Sequence, residues 1–299
     1  MKTILSSKAP VLRSKLADLV TVLGKNKRCF GTKVKKRNAP PLMLYQTASP
    51  HVYISSCAID EAPDPLPPQT YFTQTKLPPC FTNFSATYVP PKEISSDPRN
   101  LIPEVAFLGR SNVGKSSLLN ALTYQKELAR TSKTPGRTQM VNYFAVNDLV
   151  NLKKNSLASP HGYLVDLPGY GYAKGPDKAI SSWQDSTQTF IESRMEVGTL
   201  QRLFILIDSR RAISQMDSTV LQWLDEAGLD YTVVLTKGDC VARPLKVKLA
   251  NEIGMRFHSQ LLGDQGESWQ SPFIHVTSSK EGAGILELMW AIQEEFDTN

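Results

Sequence analysis

The sequence predicts an α/β protein built on a largely parallel β-sheet. Three observations carry that expectation. From about Ser96 onward, short apolar runs alternate with longer amphipathic stretches, as strands and helices do when they take turns along a chain. A glycine-rich loop, Gly109-Arg-Ser-Asn-Val-Gly114-Lys115-Ser116, stands between the first such run and the first amphipathic stretch. The region after Ser96 holds about 200 residues, enough to bury one sizeable core.

The expected strands, in order, are Glu104–Leu108, Tyr143–Val146, Tyr163–Val165, Leu203–Ile207, Thr232–Leu235 and Phe273–Val276. They are short and rich in branched and aromatic residues, which suit a pleated, buried surface. The expected helices are Lys115–Leu122, Lys178–Met195, Ser218–Ala227, Leu245–Leu261 and Ile285–Phe296. In the last, Ile285, Leu288, Met289, Ile292 and Phe296 recur at helical spacing and mark one apolar face.

The 299-residue chain is 41% hydrophobic and 21% charged, which excludes wholesale disorder and collagen-like structure. No apolar run approaches the ~20 residues of a membrane-spanning helix. Cys29, Cys57, Cys80 and Cys240 are scattered, which argues against a disulfide scaffold or a zinc cluster. His51, His161, His258 and His275 form no metal-ligand pattern, and no Ser–His–Asp logic is visible.

The net charge of +6 is unevenly spread: residues 1–38 contain eleven basic residues against the single acid Asp18, so the rest of the chain is net negative. Leu12, Leu16, Leu19 and Leu23 fall on one face of a possible helix. A basic, acid-poor, amphipathic amino terminus has the composition of a mitochondrial transit peptide, here residues 1–40. A basic arm touching nucleic acid is the plainer alternative, and an uncleaved leader helix lying on a membrane surface is a third. Residues 41–95 read as a linker with little packed structure, because eleven of the 20 prolines lie between Pro40 and Pro91. Tyr71, Phe72, Phe81 and Phe84 are the residues there that can dock on the domain beginning near Ser96.

The loop at 109–116 fits the Walker A pattern and has the strand-to-helix context that the pattern requires. Gly109 and Gly114 allow a tight turn, so the amides from Arg110, Ser111, Asn112 and Val113 onward can face anionic oxygens at a helix amino terminus. Lys115 supplies charge for the β- and γ-phosphates, and the Ser116 hydroxyl can ligate Mg²⁺. Ser117 reads as support for the loop. A second motif, Asp166-Leu167-Pro168-Gly169, ends an apolar run in an acid. Asp166 suits the Mg²⁺ shell through water, and the Gly169 N–H suits a γ-phosphate sensor.

A third motif, Thr236-Lys237-Gly238-Asp239, ends another apolar run and so lies on the ligand edge of an open sheet. The Asp239 carboxylate can accept two hydrogen bonds from guanine, whereas adenine would leave it unpaired at a cost of about 1–3 kcal/mol. The stem of Lys237 can cover the base face. Thr236 stands where many GTPases have Asn. The fourth segment, Thr277-Ser278-Ser279, can offer backbone N–H groups to guanine O6. GTP and GDP are therefore the expected ligands.

These four motifs in this order resemble a TRAFAC-class GTPase. The strings GRSNVGKSSLLNAL at 109–122, TSKTPGRTQMVNYF at 131–144, DLPGYGYA at 166–173 and LIDSRRAISQMD at 206–217 make residues 96–299 similar to the EngB family of ribosome-assembly GTPases, in particular its mitochondrial members. The resemblance implies a P-loop G domain with a six-stranded sheet, one strand antiparallel, and helices on both faces. It implies that Thr138 completes the Mg²⁺ shell, with Gly136, Arg137, Gln139 and Met140 around the nucleotide. It implies a GTPase that acts on the mitochondrial large ribosomal subunit or its rRNA; a monomer is expected. Because the body is net negative, any RNA contact must be a local patch, for which Arg210, Arg211, Lys133 and Arg137 are the candidates. A signalling or trafficking switch that recruits a protein is the alternative. For catalysis, Lys115, Thr138 and Asn112 are the candidates. Asn112 either supports a K⁺ ion beside the β/γ bridge or braces the loop. Tyr170 occupies the place of the water-orienting Gln of Ras-like enzymes, so slow intrinsic turnover is expected.

Overall fold

The computed structural model describes residues 42–46, 53–55, 69–72, 81, 84–91, 94, 101–129, 141–148, 160–170, 187–261 and 270–297. The six strands expected after Ser96 all form. They are β5 (Glu104–Gly109), β6 (Asn142–Asp148), β7 (Gly162–Asp166), β8 (Leu200–Asp208), β9 (Tyr231–Thr236) and β10 (Gln270–Val276). They lie in the order β10-β9-β8-β5-β7-β6. Every neighbouring pair is parallel except β6 with β7, where Asn142 faces Asp166 and Val146 faces Gly162.

Four further strands extend this sheet to ten: β1 (Leu42–Gln46), β2 (Tyr53–Ser55), β3 (Gln69–Phe72) and β4 (Phe84–Val89). β4 pairs antiparallel with β6 from Phe84↔Asp148 to Val89↔Tyr143. β2 pairs parallel with β10, and β1 and β3 are added antiparallel beyond it. The proline-rich stretch thus contributes strands where its composition predicts little packed structure. The reason is positional: none of the four strands contains a proline, so each run between prolines keeps its backbone donors for the edge of an existing sheet. Phe81, one of the aromatic residues expected to dock, is buried at 1% exposure.

Strand alternation sends neighbouring side chains to opposite faces and makes two cores. Val105 and Phe107 join the face covered by α1 (Lys115–Leu122) and α5 (Ile285–Phe296), through Leu118, Leu119, Leu122, Leu288 and Ile292. Ala106 and Leu108 join the other face. There α2 (Thr189–Val197), α3 (Gln215–Glu226) and α4 (Arg243–Leu261) bring Ile191, Leu221 and Ile253. Helix α3 starts three residues before the expected Ser218, because Ser214 and Asp217 form a reciprocal capping box. The expected helix Lys178–Met195 is seen only from Thr189; residues 178–186 lie outside those described. At the edge of the sheet away from the glycine-rich loop, the Arg194 guanidinium donates through Nε to buried Glu104 at 3.0 Å and pins α2 to β5. Burial raises the Glu104 carboxyl above its ordinary pKa against the pull of that arginine.

Candidate nucleotide-binding site

The carboxyl ends of β5, β7, β9 and β10 place all four sequence motifs along one edge of the sheet. Gly109 ends β5, and the chain turns through Arg110–Val113 to Gly114, which caps α1 with φ 111°. Asn112 also takes a left-handed φ of 65°. Those two reversals leave the amides at the start of α1 free to face a ligand. Lys115 and Ser116 then open the helix, Lys115 buried and Ser116 half-buried.

Lys115 Nζ makes an ion pair with Oδ1 of Asp166, which is the last residue of β7. Burial raises the Asp166 carboxyl above its ordinary pKa, while Lys115 pulls the other way. Hard oxygen donors at Ser116 and Asp166 fit a Mg²⁺ ion that keeps waters in its shell. Among the described residues no group of three or more His, Cys, Asp or Glu could hold a metal. The predicted ligand Thr138 and its neighbours Gly136, Arg137, Gln139 and Met140 lie outside the described residues, as does Lys133.

After Asp166, the loop Leu167-Pro168-Gly169 runs against the glycine-rich turn. The Leu167 N–H donates to Phe107 O at 3.2 Å, and a side chain at Gly169 would sit 3.2 Å from the Ser111 amide. Tyr170 closes the contact, donating its N–H to Gly109 O and accepting from Ser111 N–H at 3.0 Å. Its phenol does not face the phosphate site. The ring is 2% exposed, and its hydroxyl donates to Asp217 Oδ1 at 2.9 Å; burial and that carboxylate push the phenol well above its usual pKa.

The purine end is held by side chains. The Thr236 hydroxyl donates to Val113 O at 2.7 Å, so the residue standing in place of Asn fastens β9 to the glycine-rich loop. Lys237 (φ 58°) sends Nζ to Asn112 O at 2.7 Å and to Asp208 Oδ2 at 2.8 Å. Asp208 also accepts three hydrogen bonds from Arg210, and these donors hold its carboxyl far below the ordinary range even though it is partly buried. The sequence names Arg210 as a candidate RNA contact; the structure ties it to Asp208, and both it and Arg211 are exposed. Asp208 lies in the string at 206–217 and ends an apolar strand as Asp166 does, but the sequence assigns it no role at the site.

Gly238 and Asp239 lie in a single 3-10 turn. Ser278 Oγ donates to Asp239 Oδ1 at 2.8 Å, and Thr277 O accepts from Gly238 N–H at 2.9 Å, which joins the third and fourth motifs. Burial acts to raise the Asp239 carboxyl pKa, but hydrogen bonds from Ser278 and Cys240 outweigh it and lower the value, so the group stays an acceptor. A cavity of about 490 Å³ opens at the Asp239 end of this edge, lined among others by Gly114, Ser117, Lys237, Asp239, Ser279 and Lys280. Its remaining wall is the last turn of α1, with Asn120 and Ala121, and the segment after it, Tyr124, Gln125 and Lys126, which carries no motif signature.

A model of the 50S ribosome-binding GTPase family matches residues 104–237. The chain is 44% identical over 192 residues to a probable GTP-binding protein EngB of Rhizobium etli, covering 64% of this chain and 82% of that one. It is 43% identical over 190 residues to the corresponding protein of Mesorhizobium japonicum, covering 64% and 84%. The chain belongs to the EngB family. It is a P-loop GTPase. Among solved structures, a probable GTP-binding protein EngB shares 22% identity at a TM-score of 0.46, over 66% of this chain and all of that one. The identity to the Rhizobium etli and Mesorhizobium japonicum proteins covers under two thirds of this chain, so EngB membership is a statement about the G domain.

Proposed function

We infer that this EngB protein is a guanine-nucleotide switch for assembly of the mitochondrial large ribosomal subunit, docking on its rRNA in the GTP-bound state. One observation carries the nucleotide part: a single cavity runs from Gly114 and Ser117, beside Lys115 at the start of α1, to Asp239 and Ser279. Lys115 exchanges Asp166 for phosphate oxygens when nucleotide enters, which frees the carboxylate for the Mg²⁺ shell alongside Ser116 and Thr138. Bound there, Mg²⁺ would neutralise charge developing on the β- and γ-phosphates. The Asp239 carboxylate accepts from guanine N1–H and its 2-amino group, which favours GTP over ATP.

Intrinsic hydrolysis is slow, because the phenol after Gly169 is locked on Asp217 and presents no group to an attacking water. Asn112, exposed on the loop, is then the residue available to support a K⁺ ion beside the β/γ bridge. Support for the ribosomal role comes from the family, and support for the organelle from the basic leader. Co-sedimentation with mitoribosomal large-subunit precursors tests both. Association that needs a non-hydrolysable GTP analogue and falls steeply with salt is expected. Association indifferent to nucleotide, or none, would sink the ribosomal role, and a fusion of residues 1–45 that stayed cytosolic would sink the organelle.

A further inference from the structure

The wall of the cavity that no motif announces carries an unusual residue. Tyr124 has a left-handed backbone, φ 52°, which a bulky side chain rarely adopts. Yet it is 64% exposed and has no ring partner among the described residues. Its strain is imposed by neighbours. Buried Asn120 donates to Ala129 O at 2.9 Å and to Lys126 O at 3.1 Å, and accepts from Ala129 N–H at 2.7 Å. The Gln125 N–H donates to Asn120 O, and Gln125 Nε2 donates to Ala86 O on β4 at 2.8 Å. The loop is thereby over-determined on both sides of Tyr124. The ring, alone among the aromatic side chains of the described residues, lines the cavity with Lys237, Asp239 and Lys280. A strained, exposed aromatic residue held at the mouth of a ligand cavity is strain kept for a ligand rather than for the core.

We propose that Tyr124 covers the guanine nucleoside from the side opposite the Lys237 stem, so that the base lies between an aromatic ring and an alkyl chain. The face of a purine has no hydrogen-bonding groups, and an aromatic ring is the side chain that gains most by covering it. The contact is with base and ribose, so it does not read the γ-phosphate. This rests on the guanine reading of the cavity.

The test uses the full chain, with calorimetric titration by GDP and by a non-hydrolysable GTP analogue. Tyr124→Gly and Tyr124→Asn both accept the left-handed backbone and remove the ring. Each should lose about tenfold in affinity, equally for both nucleotides, and raise KM for GTP with kcat unchanged. Tyr124→Phe should bind as the parent does. The melting temperature of Tyr124→Gly should not fall, which separates a lost contact from a damaged fold. Parental affinity in both ring-less variants overturns the proposal, and so does an equal loss in Tyr124→Phe, which would assign the contact to the hydroxyl. If the parent protein binds no GDP, or Asp239→Asn leaves GDP affinity unchanged, the guanine reading fails instead.

Discussion

The two ends of the nucleotide cleft are built by different means. The phosphate end is made of consecutive backbone, Gly109 to Ser116, with one buried ion pair across to Asp166. The purine end is assembled from segments far apart in sequence and fastened by side chains: Thr236 to Val113, Lys237 to Asn112 and Asp208, Ser278 to Asp239. Backbone amides are supplied by any residue type once the turn is fixed, so the phosphate end depends on a few glycines and one lysine. The purine end depends on the identity of every donor and acceptor, and two of its ties end on the glycine-rich loop itself. Damage at the purine end should therefore reach the phosphates as well.

The largest effect should come from a glycine behind the purine end. Gly284 caps α5 with φ 73°, and a Cβ there would lie 2.0 Å from Val276 O. Gly284→Ala should cost about 4 kcal/mol of folding stability, read as a lower denaturant midpoint, because backbone on both sides must move. An unchanged midpoint would show that the turn after β10 is softer than the tie between Ser278 and Asp239 implies. At the phosphate end, Lys115→Ala should reduce GTP affinity by about a hundredfold, or about 3 kcal/mol, by calorimetry. Retained affinity would mean that the amides alone hold the triphosphate.

A pH experiment separates the cleft from the sheet that carries it. His275 on β10 is buried, and burial with the nearby Arg202 charge lowers its pKa to about 4. The folded state keeps this imidazole neutral while the unfolded chain protonates it near 6.5. Its contribution is present above pH 6.5 and lost as the pH falls towards 4, by about 3 kcal/mol in all. Chemical denaturation across that window should show the loss, and His275→Gln should flatten it. The smallest effect should come from Asp208→Asn. It removes the charge that holds Lys237 and should raise KM for GTP about tenfold, about 1.4 kcal/mol, with kcat little changed. A fall in kcat instead would place Asp208 with the phosphate end of the cleft.

Much of the fold is legible in the sequence because the signals are local. Six strands and the helices at Lys115–Leu122 and Ile285–Phe296 follow from apolar period alone, and every one of those strands lies within three residues of its expected ends. The start of α3 is not legible in the same way, because a capping box is a hydrogen-bonding pattern, whereas apolar period begins only at the first buried residue. The strands before Ser96 escape a compositional reading, because proline content describes the gaps between runs and not the sheet edges that the runs find.

The sequence by itself determined the chemistry of the site: a glycine-spaced loop, a lysine and three strand-ending motifs have the same meaning wherever the chain folds around them, since each acts through its own backbone or a single charge. Only the tertiary structure decided which groups face that chemistry. It turned Tyr170 away onto Asp217, gave Asp208 to Lys237, and set Tyr124 at the cavity mouth. The first two choices depend on contacts between residues 47 and 29 positions apart, and no local pattern encodes them.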